Sequence, residues 1–182
     1  MLFYHVDRTK LLKPNQIIDY ENLPPKSSQD IIDYCQNRFQ NKLSRIGYIY
    51  TSYSVPSNSD YSAFAAEIFL ELYRQQHFPN YPSRFQSICA CDSIDQAHFW
   101  IKEFSGNESD DIDCNIAIFQ SDKFFKADAI WRDLIAGNLS ISTVELLSKN
   151  YWTGEIYNKK SRMEYLLPLP IKVEDVIYPP FK

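Results

Sequence analysis

The sequence predicts a single α+β domain over residues 1–182, and three observations carry that reading. The length suits one ordinary domain with a self-supporting core. Apolar residues make up 45% of the chain and aromatic residues 15%, enough side-chain surface to bury a core and to exclude a disordered chain. Strand-like runs stand at both ends and between helical stretches, and no internal repeat, low-complexity tract or shift in composition divides them.

The first element is a strand over residues 2–7, where LFYHVD is rich in aromatic and β-branched residues and Lys13-Pro14-Asn15 follows as a turn. LPPKSSQD (23–30) reads as a loop leading into a helix in QDIIDYCQNRF (29–39), with Ile31, Ile32, Cys35 and Phe39 as a rough apolar stripe. YIYTSY (48–53) alternates rings with small polar residues and predicts a strand or extended segment, ended by VPSNSD (55–60). The clearest helix is YSAFAAEIFLELYRQQ (61–76), in which Phe64, Ile68 and Leu72 recur at four-residue steps as a face that would pack on a sheet. Residues 85–91 predict a short buried strand, and Ser93 with Gln96 a capping box that opens the next helix. DIDCNIAIFQ (111–120) is a further strand, and a second capping box, Ser142 with Glu145, opens a helix ending near Gly154. The last apolar run, 165–173, contains Pro168 and Pro170. Proline cannot donate to a ladder, so a bulged or edge strand is expected, with Glu164 at its start.

Net charge is −4 with a pI near 5.4, and no cluster of Lys and Arg stands out, so the chain lacks the electrostatic footprint of strong, sequence-independent nucleic-acid binding. MLFYHVDRTK carries charge by its seventh residue and builds no signal-peptide block, and no later run is long enough to span a bilayer. A cytoplasmic protein with no membrane partner is therefore expected. Cys35, Cys89, Cys91 and Cys114 include no C-x-x-C pair and read as buried thiols. Cys89 and Cys91 fall on one face of a strand, but no second ligand pair accompanies them and no metal is expected. The acidic NESDDIDCN (107–115) lacks the glycine and terminal glutamate of a calcium loop and reads as a solvated connection.

Three places combine a reactive group with a setting that would position it: His5 in the first strand, the strand–helix unit over 83–100, and Glu164. With the opening histidine, the strings SICACDSIDQAHF and MEYLLP resemble the ADP-ribosyltransferase superfamily, in particular its poly-ADP-ribose-polymerase-like branch. In that branch GIYFAD, a helix bearing SANY, and a late NEYIVY surround the nicotinamide end of NAD. Ala90 and Ala97 match the two small residues, Phe99 falls on the second stacking aromatic, and Glu164 falls on the catalytic glutamate. Two positions depart: Ile88 stands where the family has a tyrosine, and Val6 where it has a glycine after the histidine. YHVDR, SRFQS and EYLLP are also similar to a pattern in bacterial proteins that points to no particular activity.

The resemblance implies split antiparallel β-sheets flanked by helices, and NAD-dependent transfer of ADP-ribose to a protein or nucleic-acid acceptor, or NAD hydrolysis, in a setting such as bacterial or phage conflict. Breaking the nicotinamide–ribose bond generates an oxocarbenium-like ribose, and a fixed anion stabilises charge that develops only in the transition state. The resemblance gives Glu164 that role and has His5 hold a ribose hydroxyl of the adenosine half while the backbone at Val6 clamps the nicotinamide amide. Phe99 would stack on nicotinamide, with Tyr4, Tyr48 or Tyr50 in place of the ring missing at Ile88. Arg84 would pair with the pyrophosphate, and Ser87 and Ile88 complete the NAD-binding set. Each residue also has a plainer reading: His5 as a structural hydrogen-bonder, Phe99 as core, Glu164 as a surface acid, and Tyr151 with Trp152 as a packing anchor. Glu155 is a second candidate for the anion. The departures at Val6 and Ile88 motivate an alternative, the same scaffold acting without turnover as a binding or interaction module. A nucleic-acid-processing enzyme on an unrelated fold lacks a metal-binding carboxylate set and a basic stripe.

Overall fold

In a computed structural model, described for residues 1–22, 27–52, 61–105, 114–137, 140–159 and 161–179, two antiparallel sheets pack together among six helices. The chain is α+β, as expected. The first sheet holds β1 (Leu2–Asp7), β4 (Asn115–Gln120), β7 (Ile171–Ile177) and β2 (Ile17–Ile18), ordered β1-β4-β7-β2; the second holds β3 (Ser87–Ala90), β6 (Met163–Pro168) and β5 (Phe125–Asp128), ordered β3-β6-β5. The helices are α1 (Gln29–Phe39), α2 (Arg45–Ser52), α3 (Tyr61–His77), α4 (Ile94–Ser105), α5 (Ala129–Ala136) and α6 (Ile141–Thr153). Among the described residues no helix is long and apolar enough to cross a membrane. Residues 23–26 of the loop expected over 23–30, the segment 53–60, and residues 107–113 of the acidic stretch expected over 107–115 lie outside the described residues.

The core explains why β6 is so apolar. Tyr165 and Leu167 of β6 point toward Phe3, Phe119 and Val173 of the first sheet. Leu166, on the opposite face, joins Leu70 of α3, Trp131 of α5 and Trp152 of α6. A strand covered on both sides loses its polar alternation. The outer side of the first sheet is covered by α4, which lays Ala97 and Ile101 against Ile116.

Several expectations are corrected. Residues 48–52 are helical, not extended: Ser44 accepts the Gly47 N–H on its Oγ (3.2 Å) and starts α2, which turns Ile46, Ile49 and Tyr50 along a helical stripe. The expected core stripe of α3 faces outward, with Ile68 41% and Leu72 48% exposed. The buried side is Ala66, Glu67, Leu70, Glu71 and Arg74, and the helix packs on α5 and α6 rather than flat on a sheet. Helix α6 starts two residues before the expected box, capped by Ser140, although Gly154 (φ 73°) ends it as anticipated. The run 165–173 is neither one strand nor an edge. It breaks after Pro168, opposite Ser87, and the chain passes from the middle of the second sheet into an inner position of the first. Three short elements to which the sequence reading assigns nothing are β2, β5 and α5.

Gly47 marks the tightest approach in this arrangement, because a Cβ there would lie 2.1 Å from the Phe85 carbonyl oxygen and 2.7 Å from its Cα. Both atoms are backbone, so relief requires α2 to move off the segment beneath it. Gly47→Ala should destabilise the fold by about 1–3 kcal/mol, measured as a lower urea midpoint with an unchanged slope. An unchanged midpoint would show that α2 does not rest on Phe85.

Candidate active site

Arg84 opens a short 3-10 turn (Arg84–Gln86) beneath α3 and is only 3% exposed. Its charge cannot be discharged by deprotonation, so burial demands carboxylates around it. Glu67 of α3 accepts from Nε at 2.6 Å and from Nη2 at 2.8 Å, Glu164 of β6 accepts from Nη1 at 2.7 Å, and the Tyr151 hydroxyl of α6 accepts from Nη1 at 2.5 Å. The preceding residue is pinned to the same helix: Ser83 donates its hydroxyl to Glu71 (2.8 Å), which also holds Arg74. These partners account for the inward charged face of α3.

Glu164 is placed by its neighbours in sequence and sheet. It lies opposite Ala127 in the β5–β6 register, and the chain then enters α5 with Asp128 as its N-cap, so Arg132 stands one turn on. Arg132 Nη1 is 3.7 Å from Glu164 Oε2, while its Nη2 lies 2.7 Å from Asp133. Burial alone would raise the Glu164 carboxyl; the guanidiniums of Arg84 and Arg132 outweigh it and hold the group below its ordinary value.

This cluster forms the floor of a cavity of ≈ 340 Å³ that also opens onto β1, β3, α2 and α4. His5 enters it from β1. Its Nδ1 lies 2.7 Å from the Cys89 carbonyl, which can only accept, so Nδ1 carries the proton and the neutral ring leaves Nε2 as an acceptor. Burial lowers the His5 pKa, favouring that neutral form. Tyr4 exchanges both backbone hydrogen bonds with Cys91, each 2.8 Å, tying the two sheets together. By strand alternation the N–H and C=O of Val6 point to that same edge, beyond the last bridge, where among the described residues no backbone group takes them. Cys89 and Cys91 also line the cavity, but burial pushes both thiols up to about 12, which removes them as nucleophiles at neutral pH. Among the described residues no group of three His, Cys, Asp or Glu side chains is arranged to hold a metal.

Of the residues singled out in the sequence, His5, Val6, Arg84 and Glu164 meet at this cavity. Three do not. Ser87 is buried and donates to the Ser83 carbonyl, Ile88 packs in the layer between the sheets, and Phe99 is 40% exposed on α4. The next residue, Trp100, lines the cavity in place of Phe99, and Tyr4 and Tyr50 line it while Tyr48 packs beside α1. Arg84 is not available as a pyrophosphate clamp, since its donors are held by Glu67, Glu164 and Tyr151. Glu155 is exposed and contributes a backbone oxygen to Trp131. Glu67 and Arg132 were missed. Glu67, Glu71 and Arg74 recur at helical spacing within an apolar helix, and Asp128 and Gly137 bracket α5 as caps; both patterns were there to be read.

Residues 3–179 match the family described as Protein of unknown function (DUF2441), and the chain belongs to that family. No curated protein matches it.

Removing Arg84 alone would leave two buried carboxylates facing each other. Arg84→Met should cost about 3–5 kcal/mol, and adding Glu67→Gln and Glu164→Gln to it should restore part of that loss in urea unfolding. The acid limb tests Glu164 separately. Its folded pKa lies below the ordinary 4.5, so its stabilisation is complete above pH 4.5 and disappears as pH falls through the lower folded value. The unfolding free energy of Glu164→Gln should therefore change less than wild type on acidification below pH 4.5, and parallel curves would contradict the assignment.

Proposed function

We propose that the chain binds NAD with the nicotinamide–ribose half in this cavity, breaks the bond between them, and passes ADP-ribose to a macromolecular acceptor or to water. One observation carries the reading: His5 of the first sheet and Glu164 of the second, separated by most of the chain, line the same cavity. The split antiparallel sheets and the early and late strand positions of the two residues agree with what the resemblance implies.

The residues present fit the ligand. The cavity is at the small end of those that hold small molecules, in keeping with the reacting half of the dinucleotide inside and the rest toward the mouth. The open N–H and C=O of Val6 suit a carboxamide, which needs one donor and one acceptor. The valine side chain stands across the plane of those groups, in the cluster under α4, so the missing glycine does not close the edge. Trp100 and Tyr50 supply rings where Phe99 and Ile88 do not. His5 Nε2 would accept from a ribose hydroxyl.

In the reaction the ribose C1′–nitrogen bond breaks and its electron pair leaves with the nicotinamide nitrogen, which becomes neutral. The ribose carries the positive charge until an acceptor atom or water oxygen bonds to C1′ and releases its proton to solvent. Glu164, buried and held by Arg84 and Arg132 in the floor, stabilises that charge without reorganising. Its pairing with two guanidiniums favours a second reading, in which the cavity binds NAD without turnover.

Incubation with NAD labelled in nicotinamide separates these readings. Turnover predicts nicotinamide release that Glu164→Gln lowers by on the order of 10²-fold or more, with binding retained in calorimetry. Binding without release would support the second reading, and absence of both binding and release would end the two together.

A further inference from the structure

We infer that Arg8 is the phosphate-binding residue of this cavity, taking the pyrophosphate of the dinucleotide at its mouth. The inference rests on the nucleotide reading above and assigns a contact that Arg84 is unable to make.

Three guanidiniums line the cavity: Arg8, Arg84 and Arg132. Arg84 is surrounded by Glu67, Glu164 and Tyr151. Arg132 grips Asp133 through Nε (3.1 Å) and Nη2 (2.7 Å) and turns its remaining nitrogen toward Glu164. Arg8 differs from both, for among the described residues no carboxylate lies within ion-pair distance of it.

Arg8 is nevertheless held in place. The buried Asp7 carboxylate accepts the backbone N–H groups of Thr9 (3.0 Å), Lys10 (3.1 Å) and Leu12 (2.9 Å), fixing the loop that leaves β1. The guanidinium carbon of Arg8 lies 4.8 Å from the Phe104 ring centroid, and Phe104 stacks on Trp100 at 5.8 Å and 24°. A ring attracts the cation but offers no acceptor oxygen, so among the described residues the N–H fork stays open to an oxyanion and loses little freedom on binding one. The floor offers an anion no such place, because its carboxylates already answer its guanidiniums. An anionic part of the ligand therefore belongs at the mouth, three residues along the chain from His5.

The test is calorimetric titration of wild type, Arg8→Gln and Arg8→Lys with NAD, with nicotinamide riboside, which lacks phosphate, and with inorganic pyrophosphate. Arg8→Gln should weaken NAD and pyrophosphate by roughly tenfold or more and leave nicotinamide riboside unchanged. Arg8→Lys should fall between, and the salt dependence of NAD binding should be shallower in Arg8→Gln. Arg8 is exposed, so circular dichroism and thermal unfolding should be those of wild type. NAD bound equally by wild type and Arg8→Gln would overturn the inference while leaving the NAD reading intact. Pyrophosphate binding that needs Arg8, without binding of NAD or nicotinamide riboside, would sustain the phosphate site and overturn the NAD reading; no binding of any probe would overturn both.

Discussion

The fold depends on one buried charge. Arg84 lies where α3, α6 and β6 converge, and each contributes a group to its guanidinium: Glu67, Tyr151 and Glu164. A pair of charges in such a place adds little to net stability over an apolar replacement, but it is unforgiving of error, since any element that fails to arrive leaves a charge exposed to low dielectric. That requirement orients α3 about its axis. A helix with Ile68 and Leu72 on one stripe and Glu67 and Glu71 on the next would ordinarily bury the first; here the cation beneath reverses the choice.

The second constraint is how the two sheets meet. Beyond the side chains packed between their faces, they are joined edge to edge at the Tyr4–Cys91 bridge, with the His5–Cys89 hydrogen bond beside it. Past that bridge β1 has no partner on its inner edge among the described residues, and the backbone groups it leaves there, with the imidazole alongside, form one wall of the cavity. The opposite wall follows from β6 being the central strand of its sheet, which places Glu164 against the helical layer and away from solvent. A glutamate at the start of an apolar strand is thus no loop residue; it is the inward-facing polar member of a doubly covered strand.

Much of this was legible in the sequence, and what was not has physical causes. The opening strand, the helix over 29–39, the helix after Ser93 and the Gly154 cap could be read because local chemistry fixes them; that an early histidine and a late acid belong together was implied by the family resemblance alone, since no local chemistry joins residues so far apart in the chain. The reading over 48–52 failed because Tyr and Ile suit a strand and a helix alike, and the Ser44 cap that decides the matter lies outside that stretch. The outward face of α3 was not recoverable from periodicity, since two adjacent stripes share one period and a residue distant in sequence chooses between them. Choosing Phe99 over Trp100 failed for a related reason: adjacent helical residues point about 100° apart, and only packing of α4 on the first sheet shows which one faces inward.

The charges in the floor bear on what Glu164 can still do. A carboxylate hydrogen-bonded by one guanidinium and approached by another looks neutralised, and taken alone the pair with Arg84 would be. Yet Arg84 is shared with Glu67, and Arg132 with Asp133, so the connected group holds two guanidiniums against three carboxylates. Extending it through Arg162, which bridges Asp133 and Glu103, adds one charge of each sign and leaves the excess negative. The guanidiniums therefore keep Glu164 ionised and immobile without cancelling the field of the cluster. A positive charge developing above this floor would be favoured and a negative one repelled, which accords with the proposal of an oxocarbenium deep in the cavity and phosphates at its mouth, and suits poorly any chemistry that builds up negative charge at the same place.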